Sequence, residues 1–206
     1  MTSSRHFIEA IRRIPRQERA ERRIQEILHS AERLIGENGI SGTTMTDIAQ
    51  SSGASIGAIY QYFPNKEMLV AALRSRCLAA LDRLIAPVAS APAEPDTRQL
   101  AHLLANLLVA FSSQFPAYRH LFFSNEPGYR SQADDTRLLQ RFRQLFSRHC
   151  RSLPEAQIGA VTETAVIIVK GLLDAGTRTP WERHGQLVDE LKFALSSYLG
   201  SRCQPR

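Results

Sequence analysis

The sequence predicts an all-α protein with about nine helices, and three observations lead to this prediction. Apolar residues recur at helical spacing along most of the chain. Glycine and proline interrupt this pattern at intervals that suit helices of ordinary length. Alternation of apolar and polar residues, which is typical of strands, is missing. The one β-branched run, Ala165–Val169, lies within the unbroken segment Glu155–Ala175 and is therefore assigned to a helix.

The first helix is predicted over Arg16–Glu37, and Gly36 and Gly39 supply the stop signal around its end. Its apolar positions form a single stripe: Ile24, Ile27, Leu28, Ala31, Leu34 and Ile35. Two short helices then follow in Thr43–Phe63, with Gly53 between them. Thr44 is a candidate N-cap whose partner is Asp47, three residues later.

The second half of the chain is predicted to be a set of longer helices. Asn65 is the expected N-cap of a helix from Lys66 to about Leu84, and Pro87–Pro95 is expected to be a loop. Four long helices and one short aromatic helix follow, with proline or glycine at the breaks. The long ones are Asp96–Phe115, Asp134–Leu153, Glu155–Ala175 and Pro180–Leu199, and the short one is Ala117–Phe123.

Composition excludes several classes of protein. The 206 residues include 26 basic and 20 acidic ones, and almost all of the positive charge is arginine, whose planar guanidinium suits phosphate. There is no apolar stretch of membrane-spanning length and no recognisable secretion signal, so we expect a soluble cytoplasmic protein. Cys77, Cys150 and Cys203 are far apart, and we expect neither a disulfide framework nor a metal site. No cofactor is predicted.

Two short helices joined at a glycine are typical of the helix-turn-helix motif. The first is expected within Thr44–Gly53 and the second within Ala54–Phe63. Apolar residues of both can pack on the preceding helix. One face of the second helix is then left exposed, and a single helix fits the major groove of DNA.

The segment Thr44–Lys66, which ends in Ile59-Tyr-Gln-Tyr-Phe-Pro-Asn-Lys66, resembles the DNA-binding domain of TetR-family transcriptional regulators. The resemblance is dense from Ile24 to Leu69; beyond that, only length and helical character agree. It implies a basic arm (1–18), a helix-turn-helix domain (19–66) and a helical domain for effector binding and dimerisation (67–202). It also implies double-stranded DNA with a palindromic operator as the partner, read by a homodimer formed through the last two helices.

The resemblance, together with the exposed helix face, selects the candidate DNA contacts. They are Thr44, Thr46, Ile56, Gly57, Ala58, Tyr60, Gln61, Tyr62 and Lys66. Ile56 and Ala58 suit thymine methyl groups, and few side chains in the set carry hydrogen-bonding groups for bases, so DNA shape is expected to contribute to specificity. Purely structural roles remain open as alternatives to DNA contact. Lys66 would then be a solvated lysine, Thr44 only a helix cap, and the tyrosines core residues with exposed hydroxyls.

Arginines crowd the segment before the motif: Arg12, Arg13, Arg16, Arg19, Arg22 and Arg23. They predict either phosphate contacts, with Arg16 and Arg19 as the chosen candidates, or a solvated arm with local ion pairs. Further along, aromatic residues predict an effector pocket among the helices that begin near Lys66, Asp96 and Asp134, for an apolar or aromatic small molecule. Its candidate residues are His102, Asn106, Phe111, Phe115 and Phe142.

These features favour a dimeric repressor that a small-molecule effector releases from its operator. The alternative is a TetR-like DNA-binding protein without ligand sensing, in an architectural or activating role. An enzyme is disfavoured because the hydrolase, phosphate-binding and metalloprotease motifs do not occur in the sequence.

Overall fold

The computed structural model describes residues 15–90, 95–122, 129, 132–151, 153–176 and 184–203. These residues form nine α-helices and no strand, as the sequence predicts. The helices are α1 (Pro15–Asn38), α2 (Met45–Ser52), α3 (Ile56–Tyr62), α4 (Lys66–Ala89), α5 (Thr97–Gln114), α6 (Tyr118–Phe122), α7 (Gln132–His149), α8 (Glu155–Gly176) and α9 (His184–Arg202). Among these helices, none is both long and apolar enough to cross a bilayer.

Helices α1, α2 and α3 form a small N-terminal head. Ile27, Ala31 and Ile35, from the predicted stripe on α1, have no exposed surface. Helix α2 packs directly on α1, and α3 packs on α2. Ile48 and Ile59 are completely buried between these elements, and they belong to an apolar core that continues into the rest of the described chain.

Helix α4 continues from the head into the C-terminal body, and it is longer than the sequence predicts. Asn65 is its N-cap, as expected, and accepts a hydrogen bond from the Met68 N–H at 2.8 Å. The expected loop start at Pro87 is wrong, because the helix includes Pro87 and ends at Ala89. Proline removes only one backbone donor, and so near a helix end the loss is small.

Helices α5 to α9 build the body. Helix α9 packs against both α5 and α8, through the buried residues Leu191, Leu195 and Leu199. Helix α7 packs on α8 and on α4. It ends at His149, before the predicted end at Leu153. The predicted start of the last helix, Pro180–Arg183, lies outside the described residues.

Head and body meet where α1 and α4 face α6. A Cβ atom at Gly36 of α1 would lie 2.7 Å from the Cβ of Pro116, so only glycine allows this approach. Nearby, Glu32 of α1 is buried, with an oxygen 4.0 Å from an Arg76 nitrogen of α4. Burial raises the pKa of Glu32, and Arg76 and then His29 oppose that rise.

A second connection at this junction is made by Arg74 of α4, which is 2% exposed. Its guanidinium donates to the carbonyl oxygens of Leu121 and Tyr129, the latter at 2.9 Å. It also lies 4.8 Å from the centre of the Phe122 ring. One buried cation therefore holds α4, α6 and Tyr129 together.

The cysteine prediction is wrong in one respect. Cys150 and Cys203, 53 residues apart, form a disulfide with 4.5 Å between their Cα atoms. Their spacing gives no sign of this, because the pairing arises only when the ends of α7 and α9 come together in the fold. Cys77, on α4, is a free buried thiol.

Replacing Gly36 with alanine should destabilise the protein by about 1–3 kcal/mol, since the added methyl group meets Pro116. Urea unfolding followed by circular dichroism measures the loss. The matched control is Gly159→Ala in α8, where a Cβ meets nothing within 4 Å and helix propensity should add about 0.5–1 kcal/mol. Equal stability of the two variants would contradict the close approach of α1 to Pro116.

Candidate nucleic-acid interface

Helix α2 begins with a capping box, as the sequence predicts. The Thr44 hydroxyl accepts a hydrogen bond from the Asp47 N–H at 3.1 Å and donates to the Asp47 carboxylate at 2.7 Å. That carboxylate also accepts from the Thr44 N–H at 2.9 Å. The two hydrogen bonds from Thr44 lower the pKa of Asp47. Because the Thr44 hydroxyl proton is used within the head, capping is the role its geometry explains.

The turn between α2 and α3 depends on Gly53. Its φ of 63° lies in the left-handed region, which favours glycine, although a Cβ there would meet no other atom. The Gly53 N–H closes α2 on the carbonyls of Ala49 and Gln50. Ser55 then caps α3 by accepting from the Ala58 N–H at 3.1 Å.

The two sides of α3 differ sharply. Ile59 is completely buried and Phe63 nearly so, whereas Ile56 is 41% exposed and Tyr60 49% exposed. Gly57 and Gln61 are exposed as well, and Ala58 is half-buried. Large apolar side chains on an outer helix face contribute little to the fold, so this face is available for binding.

The remaining candidates of the motif lie at its margins. Thr46 is exposed on α2, while Tyr62 is half-buried and packs against the core. Lys66, half-buried at the start of α4, has its Nζ 5.5 Å from the centre of the Tyr129 ring. Tyr62 thus shows the packing expected of a core residue with an exposed hydroxyl, and Tyr60 does not.

The arginines of α1 divide into two groups. Arg19 and Arg22 are exposed, while the side chain of Arg16 lies outside the described residues, as do Arg12 and Arg13. Arg23 donates to the Ser52 carbonyl at 3.3 Å and to Glu26 at 3.0 Å. Arg33, which sequence reasoning missed, donates to the Ser51 hydroxyl at 3.0 Å. Arg23 and Arg33 therefore hold the end of α2 in place.

An apolar cavity of about 20 Å³ lies within the body. Apart from Tyr118, its lining is apolar: Leu104, Leu108, Leu138, Phe142, Phe146, Ala165, Val166, Val169 and Leu195. These residues belong to α5, α7, α8 and α9, with Tyr118 from α6. Helix α4, against which a pocket was expected, contributes no residue to this lining. The cavity of about 20 Å³ holds about one water molecule, so the core is almost filled. A wider groove of about 440 Å³ lies between α4 and α7.

Of the five candidate pocket residues, Phe142 lines the cavity. Phe111 is completely buried and stacks on Phe115, with 4.7 Å between ring centres. Asn106 is exposed. His102 lies in an open surface groove with Arg98 and Lys192. The sequence did not indicate that aliphatic residues of α8 line the cavity, because an apolar run of this kind is typical of any buried helix.

Two short helices joined at a left-handed glycine, with the second exposed on one face, define a helix-turn-helix DNA-binding protein. The comparisons with known proteins agree. Residues 27–73 match the family described as bacterial regulatory proteins, tetR family. Residues 98–199 match the tetracyclin repressor-like, C-terminal domain. The chain belongs to the TetR family of DNA-binding transcriptional regulators.

Two curated relatives show where sequence similarity lies. Nucleoid occlusion factor SlmA of Vibrio vulnificus is 29% identical over 131 residues, which are 61% of this chain and 62% of the relative. The chain therefore spans less than two thirds of that relative's length. The HTH-type transcriptional regulator TtgR of Pseudomonas putida is 44% identical over 56 residues, 27% of each chain.

Among solved structures, a TetR-family transcriptional regulator from Streptomyces coelicolor superposes with a TM-score of 0.66 at 21% identity. The match covers 87% of this chain and 99% of that one. At 21% identity, this similarity shows that the two chains share a fold and shows nothing beyond that.

Replacing Thr44 with alanine should cost about 1 kcal/mol of stability and raise the pKa of Asp47, because both consequences follow from losing the hydroxyl. Because the pKa of Asp47 is lower in the folded than in the unfolded protein, its carboxylate stabilises the fold at pH values above the unfolded-state pKa. This stabilisation is lost as the pH falls through the folded-state pKa. The variant should therefore lose less stability on acidification. NMR titration of Asp47 and urea unfolding at several pH values measure this; Thr44→Ser, which keeps the hydroxyl, should behave as the wild type.

Proposed function

We propose that the protein is a homodimeric transcriptional repressor that binds a palindromic operator through α3 and is released by a small-molecule effector. The observation that carries DNA recognition is the exposed face of α3, with Ile56, Gly57 and Tyr60 outward and Ile59 buried behind them. A helix held in this way can enter the major groove with its first turn against the bases.

The roles within this interface follow from chemistry. Ile56 and Ala58 meet thymine methyl groups, Gly57 allows the backbone to approach the duplex, and Tyr60 contacts a base or the backbone. Thr46 and Gln61 supply hydrogen bonds at its edges. Lys66 and Arg19 contact phosphates, which sets affinity and salt dependence more than sequence preference.

Dimerisation is proposed through α8 and α9, which present outward stripes at helical spacing. The stripe on α8 comprises Ala156, Ala160, Glu163, Ile167 and Gly171. On α9 it comprises Gln186, Glu190, Phe193, Ser197 and Ser201. Ile167 is 66% exposed and Phe193 67% exposed, the two highest values among exposed large apolar residues of the described chain. Small residues around them allow two helix pairs to approach closely.

Effector release draws support from two sources. The C-terminal region matches a domain described as tetracyclin repressor-like, and the body contains an apolar cavity bounded by helices of the dimer face. An effector acts only if it favours a state in which the two heads no longer fit the half-site spacing. We propose an apolar or aromatic molecule, in keeping with the lining.

The alternative is a DNA-binding protein without ligand sensing, and one observation favours it. The cavity of about 20 Å³ is far smaller than a typical ligand site. A relative described as a nucleoid occlusion factor also shows that proteins of other roles share this sequence pattern. The operator affinity measured with and without candidate effectors separates the two: an effector that binds and leaves affinity unchanged would support the alternative.

The central test is selection of bound duplexes from a random DNA pool with the full-length protein. We expect an inverted repeat with half-sites about one helical turn apart, and binding that weakens steeply as salt rises. Lys66→Ala should lower affinity for every sequence and reduce the salt slope by about one. Arg143→Ala is the matched control, since it removes one charge from an exposed pair with Glu155 in the body. Selection without any repeat would contradict the proposal.

Replacing Gly57 with alanine should leave the fold at least as stable as the wild type and weaken operator binding. A Cβ at position 57 meets nothing within 4 Å in the protein, so only the approaching duplex is obstructed. Fluorescence anisotropy with the selected duplex and urea unfolding measure the two effects. Gly159→Ala, another open helical glycine, should leave affinity unchanged. Undiminished affinity of the Gly57 variant would exclude close backbone contact there.

Replacing Phe193 with glutamate should convert a dimer to single chains, because it places a charge on the apolar part of the proposed interface. Sedimentation velocity measures the change in mass. Met68→Glu is the control, since Met68 is 53% exposed but lies in α4 beside the head. A Phe193 variant that still sediments as the wild type would place the dimer contact elsewhere.

A further inference from the structure

The disulfide joins two helices that share the cavity wall. Cys150 directly follows α7, and its N–H bonds to the carbonyl of Phe146 at 2.7 Å. Cys203 directly follows α9, and its N–H bonds to the carbonyl of Leu199 at 2.8 Å. Phe146 lines the cavity one turn before Cys150, and Leu195 lines it two turns before Cys203. The bond therefore fastens α7 to α9 at one end of the cavity.

The state that carries this bond is also the state in which the cavity is nearly filled. Its volume of about 20 Å³ excludes any molecule much larger than water. Access for a ligand requires α7, α8 or α9 to move, since most of the lining comes from them. A covalent link between α7 and α9 opposes that movement.

A protein that acts on DNA works where thiols are normally kept reduced, and disulfides in such a compartment are mostly transient or redox-sensing. We propose that Cys150 and Cys203 form a redox site whose disulfide keeps the apolar cavity closed and whose reduction to two thiols opens it to an apolar ligand. The compartment and the role of the opened cavity rest on the proposed function; the chemistry of the pair does not.

The oxidant class is a hydroperoxide. One cysteine thiolate attacks a peroxide oxygen, forming a sulfenic acid and, with hydrogen peroxide, releasing water. The second thiol then attacks that sulfur, the S–S bond forms, and a second water leaves. Two thiols and one peroxide thus give one disulfide and two waters. A dithiol reductant reverses the bond by exchange and is itself oxidised to a cyclic disulfide.

Cys77 provides an internal control. It is 2% exposed on α4, and burial raises its pKa to about 12. Almost none of it is thiolate at neutral pH, so it should not react. Cys150 and Cys203 are themselves only 1% and 6% exposed, so what separates them from Cys77 is that they lie within bonding distance of each other, whereas Cys77 has no second cysteine to pair with.

The experiment uses the full-length protein, reduced with dithiothreitol or oxidised with hydrogen peroxide. Thiols are counted after denaturation, and the linked peptides are identified by mass spectrometry. Oxidation should lower the count from three to one and link Cys150 to Cys203. It should raise Tm by roughly 10 °C, because the bond closes a long loop. Cys77→Ala should show the same shift, and Cys150→Ser/Cys203→Ser should show none.

Opening of the cavity is measured with 1-aminoanthracene, an uncharged apolar fluorophore. The reduced protein should bind it roughly tenfold more tightly than the oxidised protein, because the open state is more populated. The double serine variant should bind as the reduced protein does under both conditions. Circular dichroism confirms that each form is helical.

Three results would overturn the proposal: three free thiols after peroxide treatment, a link that involves Cys77, or equal fluorophore binding by the oxidised and reduced forms. The assays need no operator. Failure to select any DNA sequence would therefore reject the proposed function while leaving the redox site standing, and the reverse holds equally.

Discussion

Ile27, Ala31 and Ile35 lie on one face of α1 and have no exposed surface, because α2, α4 and α6 close over that face. Their burial is the constraint on which the rest of the structure depends. This burial holds the helices of the head together and orients the end of α4 from which the body starts. It also brings Gly36 against Pro116. Helix α3, only seven residues long, would not be stable alone and persists because Ile59 is anchored in the same core.

The junction between head and body is unusually polar for a buried site. Arg74 bonds carbonyl oxygens of α6 and of Tyr129, and the ring of Tyr129 lies near Lys66. Burial raises the pKa of Glu32, and one of its carboxylate oxygens has no hydrogen-bond partner among the described residues. A displacement of α6 would therefore disturb contacts on both α1 and α4. Movements in the body would therefore be felt at α1 and α4, the two helices through which head and body are connected.

Local signals were enough to predict the head. The stripe on α1, the capping box at Thr44, the glycine turn and the cap at Asn65 all act within a few residues, so the sequence displays them directly. The outward side of α3 was also predictable, because Ile59 and Phe63 account for its buried side. Whether the selected residues contact DNA stays a prediction.

The body was less predictable because its important features join distant segments. The Cys150–Cys203 pair depends on where two helices end, and the cavity depends on how α8 lies against α7. His102 looked like a polar residue facing a pocket, but helix rotation places it in a surface groove. Pro87 looked like a break, but the hydrogen bond that it removes lies near the end of α4. Helix rotation and helix pairing are tertiary properties, and spacing alone does not determine them.

The outward positions of α3 have a consequence for how such a regulator can evolve. Ile56 and Tyr60 are exposed, and Gly57 has open space where a side chain would be, so substitutions there meet few steric demands from the scaffold. With α3 as the proposed DNA-contacting helix, a duplicated copy of the gene could change its preferred binding site through a handful of mutations while its architecture stayed intact. New regulatory connections would then arise without passing through unfolded intermediates.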